Sequence, residues 1–167
     1  MIEYVTHLIR KGPFHGAGLL FGHRKADGSW DVLLCRRAVN PGKGLWSVVG
    51  GRRECGETAA EAAIREAAEE AFSFHGRDAG AALRFVEAAL EKCLSGGLDP
   101  GRCRVHRLWL PFLYSYPTYL VELSPRPPAS VFRPDPVECG GVEWFPARRL
   151  PASTHWLARL TVWWLGL

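Results

Sequence analysis

The chain has 167 residues, a formal net charge of +4, 47% apolar and 23% charged residues. That is an ordinary globular composition, which excludes a disordered tail, a collagen-like chain and a coiled coil. No apolar run approaches the ~20 residues needed to span a bilayer, and the mild basic excess does not by itself indicate nucleic acid.

Residues 2–9 and 16–22 read as strands, separated by Gly12-Pro13. Asp27-Gly28 marks a hairpin turn, and Trp30 to Cys35 follows as an apolar strand ending in Arg36-Arg37. Residues 40–44, Asn-Pro-Gly-Lys-Gly, form a loop by composition. Leu45 to Val49 reads as a short strand that Gly50-Gly51 ends. The segment Thr58 to Ala71 is a helix rich in Ala and Glu, both strong helix formers. Thr58 with Glu61 three residues on has the pattern of a capping box.

Residues 79–94 read as a second helix, although Leu83 to Leu90 also passes as a strand. Cys103 to Leu110 and Tyr116 to Leu123 read as strands. Ser124 to Pro136 carries five prolines and reads as an irregular loop. Val142 to Phe145 reads as a last short strand. Ser153 is placed to cap a final helix with Trp156, Leu157, Leu160, Trp163 and Trp164 on one apolar face. That face packs on the sheet or serves a homodimer.

The cysteines, Cys35, Cys55, Cys93, Cys103 and Cys139, are odd in number and contain no C-x-x-C pair. The N-terminus lacks a secretory pattern. Both features fit a reducing, cytoplasmic setting. Cys103-x-x-His106 has the spacing of zinc ligands, with Cys93 and Cys139 as partners, but no second spaced pair supports it. Arg102, Arg104 and His106 alternate, share one strand face and read as solvated.

Chemistry concentrates between Gly51 and Glu70. On the helix there, Glu66, Glu69 and Glu70 fall on one side, while Ala60, Ile64, Ala67 and Ala71 fall on another that can pack on a sheet. Like charges at that spacing repel. A hard divalent cation, Mg²⁺ or Mn²⁺, prefers oxygen ligands and removes the conflict. A solvated Ala/Glu helix with Arg65 in a surface pair is the plain alternative.

Residues 51–73 resemble the box of the Nudix (MutT-like) hydrolase family, with Gly51, Glu57, Arg65, Glu66, Glu69 and Glu70 at the required spacing. The flanking Trp46 to Gly51, Glu54 to Glu57, Leu33 to Arg37 and Val142 to Phe145 are similar to the family's neighbouring segments. Val49 stands where the family has proline, Phe72 where it has the last box glycine, and Ser73 where it has an apolar residue. Phe72 resists a left-handed cap, so the helix is expected to run past it and stop before Gly76.

The resemblance implies one α/β domain over residues 1–167. This is an α/β/α sandwich with a mixed sheet, to which the 79–94 helix and the C-terminal helix are additions. It also implies metal-dependent cleavage of a pyrophosphate bond in a nucleoside diphosphate linked to another moiety. Carried over, Glu66, Glu69 and Glu70 bind Mg²⁺ or Mn²⁺, Arg65 orients a carboxylate, and Glu57 braces the turn into the helix. Gly50 and Gly51 lie near the metal and substrate, and Arg37 contacts phosphate unless it is a surface arginine. Trp46 flanks the base or plugs the core.

A further carboxylate must come from a facing loop. Of Glu122, Asp135, Glu138 and Glu143, Glu138 is the choice for ligand or general base, and Glu143 is second. The partner is a small nucleotide or nucleotide derivative. The alternatives are an inactive nucleotide-binding or regulatory domain on the same fold, or an enzyme acting on RNA 5′ ends.

Overall fold

A computed structural model describes residues 14–72, 104–110 and 114–167. The readings for residues 2–9 and 79–94, Cys93, Arg102 and Cys103, and the end of the box helix beyond Phe72 lie outside the described residues.

Among these, the strands are β1 (Phe14–Arg24), β2 (Trp30–Arg37), β3 (Trp46–Ser47), β4 (Val49–Arg52), β5 (Arg104–Leu110), β6 (Tyr114–Glu122) and β7 (Cys139–Pro146). They join into one mixed sheet. β1 is its centre. It pairs in parallel with β6 and antiparallel with β2 at its C-terminal end and with β4 at its N-terminal end. β2 also pairs antiparallel with β3 and β7, and β5 lies outside β6. The turn into β2 closes at Gly28, whose φ of 82° suits glycine.

Alternation along the strands splits the core into two layers. Ala17, Leu19, Phe21, Leu33 and Val121 face helix α1 (Ala59–Phe72), which meets them with Ala62, Ala63, Ala67 and Ala71. Small alanines let the helix approach the sheet closely. Leu20, Val32, Leu34 and Leu120 face the opposite way and pack on helix α2 (Trp156–Trp164) through Leu157, Ala158 and Val162. The result is the α/β/α sandwich that the sequence implied.

The capping box at Thr58 forms as expected. Thr58 N donates to Glu61 Oε2 at 2.7 Å, and Glu61 N donates to Thr58 Oγ1 at 3.2 Å. Between β6 and β7 the proline-rich segment holds one short 3₁₀ turn, Ala129–Val131.

Several expectations need correction. Gly50-Gly51 does not end a strand but lies within β4, paired with Gly18 and Ala17. The helix α2 is capped by His155, whose Nδ1 accepts from Leu157 N at 3.3 Å, and not by Ser153. Its buried face is Leu157, Ala158, Thr161 and Val162, while Trp163 is 74% exposed and Trp164 59%. The tryptophans therefore do not form the core face. His106 is buried rather than solvated, because α2 covers it. Its Nδ1 lies 3.0 Å from Thr161 Oγ1, and its ring tilts against Trp164.

The cysteines also pair. Cys35 on β2 and Cys139 at the start of β7 form a disulfide, with a Cα–Cα distance of 5.9 Å. That removes Cys139 from any zinc set, and His106 is committed to Thr161. Cys55 is a free, exposed thiol. No helix among the described residues is long and apolar enough to cross a membrane.

Candidate active site

Three elements converge at one end of the sheet. The helix α1 brings Glu66 and Glu70, β4 brings Gly50 and Gly51, and the turn before β7 brings Glu138. Glu66, Glu70 and Glu138 each offer a carboxylate oxygen within 4.8 Å of the others. Glu66 and Glu70 are buried and Glu138 is exposed.

The two glycines explain how the helix carboxylates sit so close to the sheet. A side chain on Gly51 would overlap the Glu66 carboxylate, and one on Gly50 would overlap the backbone of Ala17 and Gly18. Gly50, at φ 146°, also adopts a backbone that side chains disfavour. Its N–H donates to Glu70 Oε2 at 2.9 Å. Burial pushes the Glu70 carboxyl up to about 8. Gly50 N–H and Arg37 oppose the rise, and the neighbouring charges of Glu66 and Glu138 add to it. Burial likewise raises Glu66, against the pull of Arg65.

Arg65 gathers the acids around it. Its Nε donates to Glu57 Oε1 at 2.7 Å and its Nη2 to Glu57 Oε2 at 3.1 Å, a two-pronged pair. Nη1 reaches Glu66 Oε1 at 3.0 Å and Glu69 Oε2 at 3.1 Å, and Nη2 donates to Arg52 O at 2.8 Å. Glu57 in turn accepts from Glu54 N at 2.8 Å, so it ties the loop to the helix. The Arg65 bonds hold the Glu57 carboxyl down at about 2. Glu69 stands apart from the three-carboxylate group. Its side chain is 60% exposed and paired with Arg65.

These carboxylates open onto a cavity of about 310 Å³. Arg37, Ser47 and His155 line it, with the Phe14, Tyr114 and Tyr116 rings on its apolar side. The rings stack, with centroids 5.6 Å apart for Phe14 and Tyr114 and 6.2 Å for Tyr114 and Tyr116. Arg37 is fixed by its Nε donating to Pro41 O at 2.9 Å. Burial, helped by the Arg37 charge, pushes His155 down to about 4, so its ring is neutral near pH 7.

Of the residues singled out in the sequence, Arg37, Gly50, Gly51, Glu66, Glu70 and Glu138 line this cavity. Trp46 does not. It packs edge-on against Phe145, with centroids 4.9 Å apart, in the layer under α2. Glu143 is exposed on β7, where it pairs in register with Leu34, and Glu122 is exposed at the end of β6. His155, Ser47 and the three stacked rings are cavity residues that sequence reasoning missed. The alternation of Tyr114 and Tyr116 was a usable signal, since i and i+2 share a strand face.

The NUDIX domain profile matches residues 17–164. The chain belongs to the Nudix family. A 61-residue stretch, 36% of the chain, is 41% identical to a putative 8-oxo-dGTP diphosphatase 3 of Mycobacterium tuberculosis, covering 28% of that protein. A 39-residue stretch, 23% of the chain, is 51% identical to an ADP-ribose pyrophosphatase of Methanocaldococcus jannaschii, covering 23% of it. The chain thus aligns with about a quarter of the length of each of these curated relatives. The fold is similar to that of a Nudix hydrolase from M. smegmatis, with a TM-score of 0.58 at 20% identity over 92% of this chain and 83% of that one.

Proposed function

We propose that this Nudix protein is a divalent-metal-dependent pyrophosphohydrolase acting on a nucleoside diphosphate linked to another moiety. The observation that carries the reading is the convergence of Glu66, Glu70 and Glu138 at the end of the cavity. Two buried acids with raised pKa values and a third beside them form an oxygen-only donor set that a hard cation satisfies. Glu66, Glu70 and Glu138 would hold Mg²⁺ or Mn²⁺. When bound, the ion neutralises pyrophosphate charge and lowers the pKa of a water.

The chain's own residues do the rest. Arg37 meets phosphate oxygens from the cavity wall. Arg65 and Gly50 N–H fix Glu66 and Glu70, so neither carboxylate must reorganise during the reaction. Glu138, the exposed member, is the acceptor for the proton of the attacking water. The stacked rings give the nucleoside end of the substrate an apolar surface. The names of the two curated relatives put 8-oxo-dGTP and ADP-ribose first in a substrate panel. An exposed free thiol at Cys55 suits a reducing, cytoplasmic location.

The test is to incubate the protein with that panel plus other nucleoside diphosphate derivatives, with Mg²⁺, with Mn²⁺ and with chelator. Hydrolysis at the pyrophosphate bond of at least one compound, abolished by chelator, is expected. Turnover that persists in chelator, or none with any compound, overturns the reading.

A further inference from the structure

The Cys35–Cys139 pair sits where two strands deliver site residues. Cys35 is two residues before Arg37 on β2, and Cys139 directly follows Glu138. Arg37 and Glu138 both line the cavity. The β2–β7 register places Cys35 opposite Val142 and Arg37 opposite Cys139, with a bulge between them. The sulfur bridge therefore crosses the ladder at its irregular point, where regular backbone pairing is weakest.

Apart from that bridge, four backbone bonds among the described residues hold the Glu138 turn, one of them from Asp135 N to Glu70 O on α1 at 3.3 Å. Ala38 N donates to Glu138 O at 2.8 Å. Asp135 O accepts from Glu138 N at 3.1 Å and from Cys139 N at 2.7 Å. The bonds to Glu70 and from Ala38 reach other segments. The other two lie within the turn and move with it. The covalent tie to β2 thus adds to the Asp135–Glu70 bond in fixing where the Glu138 backbone sits relative to α1, which carries Glu66 and Glu70.

We propose that Cys35 and Cys139 are a reversible thiol–disulfide site that sets how firmly Glu138 faces Glu66 and Glu70, and thereby the affinity for the divalent cation. The inference rests on the reading that these three carboxylates hold the ion. Bridged, the turn is pinned to β2 and the donor set is pre-organised. Opened, Glu138 keeps its hydrogen bonds but gains freedom, and the ion is held less tightly. The Cα–Cα separation of 5.9 Å lies in the range that a disulfide spans, so closing the bridge needs no movement of the strands.

The chemistry balances with hydrogen peroxide as oxidant. The two thiols lose their hydrogens, the S–S bond forms as the O–O bond breaks, and the hydrogens leave in two waters. A dithiol reductant reverses the change by exchange through a mixed disulfide and becomes a disulfide itself. Both sulfurs are buried, but Cys139 lies between the exposed Glu138 and Gly140, so opening of this turn alone uncovers it. In a reducing compartment a bridge of this kind forms transiently and reports oxidant.

Cys35 and Cys139 are positioning residues here, and the test reads metal binding without substrate. The native chain is oxidised with hydrogen peroxide, reduced with a dithiol and reoxidised. Each form is mapped for cross-linked peptides, titrated with Mn²⁺ by electron paramagnetic resonance, and melted. The oxidised form should carry the Cys35–Cys139 peptide and bind Mn²⁺ about tenfold more tightly than the reduced form, the scale seen for residues that orient metal ligands. Cys139→Ser and Cys35→Ser should sit at the reduced affinity in both conditions. Glu138→Gln should bind weakly and show no redox effect.

Absence of the cross-linked peptide overturns the proposal, as does a shift that survives in Glu138→Gln. A bridge that raises the melting temperature and leaves Mn²⁺ affinity unchanged is purely structural and also overturns it. The comparison of oxidised and reduced native protein requires no variant to fold. If Mn²⁺ affinity follows the bridge but no substrate is cleaved, the proposed reaction fails while this inference stands. If substrate is cleaved with equal Mn²⁺ affinity in both forms, the reverse holds.

Discussion

The box spacing presents Glu66, Glu69 and Glu70 as equivalents, and their surroundings separate them. Glu70 is buried and held by Gly50 N–H, whereas Glu69 is exposed and, among the described residues, paired with Arg65 alone. Glu70→Gln keeps the side-chain volume and an acceptor for Gly50, so the fold should persist. It removes one charge from the proposed donor set, and loss of even ~3 kcal/mol there is about a hundredfold in turnover. Glu69→Gln removes an exposed ion pair worth at most ~1 kcal/mol and should cost less than about tenfold. Steady-state kinetics of the two variants at saturating metal check the order, and an equal loss would restore Glu69 to the ligand set. Gly51→Ala is a sharper case. Its methyl would overlap the Glu66 carboxylate, so the acid or the strand must move. The variant should fold, bind Mn²⁺ at least about tenfold more weakly, and lose turnover. Native Mn²⁺ affinity in Gly51→Ala would show that the close approach has no role in metal binding.

At the scale of elements, what could be read in the sequence was what is local. The α1 helix, its capping box and the six box residues lie within residues 51–72, and their spacing alone fixes their relative faces. Thr58→Ala should destabilise the protein by ~1 kcal/mol, read from urea midpoints, because it unpairs the Glu61 N–H. Ser153→Ala should change little, since His155 caps α2. Ser153 looked like the cap because its residue type fits. The choice of His155 depends on β3, 109 residues earlier in the chain: His155 N donates to Trp46 O at 2.7 Å, which sets where the helix begins. The Cys35–Cys139 pair was hidden for the same reason. The two are 104 residues apart, and a bulge in the β2–β7 ladder brings them together. Glu138 could be singled out because its distance from the closing strand is itself local, and the structure places it beside Glu66 and Glu70. Trp46 was ambiguous because an aromatic residue beside a glycine turn suits a base-binding surface and a core equally; its packing on Phe145 decides for the core.

Across the whole molecule, His155 joins three parts. It caps α2, lines the cavity onto which Glu66, Glu70 and Glu138 open, and lies against the β3 edge of the sheet. Its burial holds the folded pKa at about 4, below the ~6.5 of an unfolded histidine. Between those values the unfolded chain binds more protons than the folded one. The stability that His155 contributes is therefore complete above pH ~6.5 and falls away as the pH drops toward about 4. Glu70 acts in the opposite sense in the metal-free protein. Its folded pKa is raised to about 8, so its contribution is complete below the ordinary carboxylate range and is lost as the pH rises through about 8. A single melting curve against pH mixes the two, and the difference between native protein and His155→Gln separates them. Glutamine keeps an uncharged acceptor for Leu157 N–H but does not titrate. The native protein should lose melting temperature relative to this variant as the pH falls from 7 to 4, and the two should run parallel above 7. A difference that stays constant across that range would mean that His155 takes up its proton in the folded state without cost, and that the α2 layer does not depend on a neutral ring at the cavity wall.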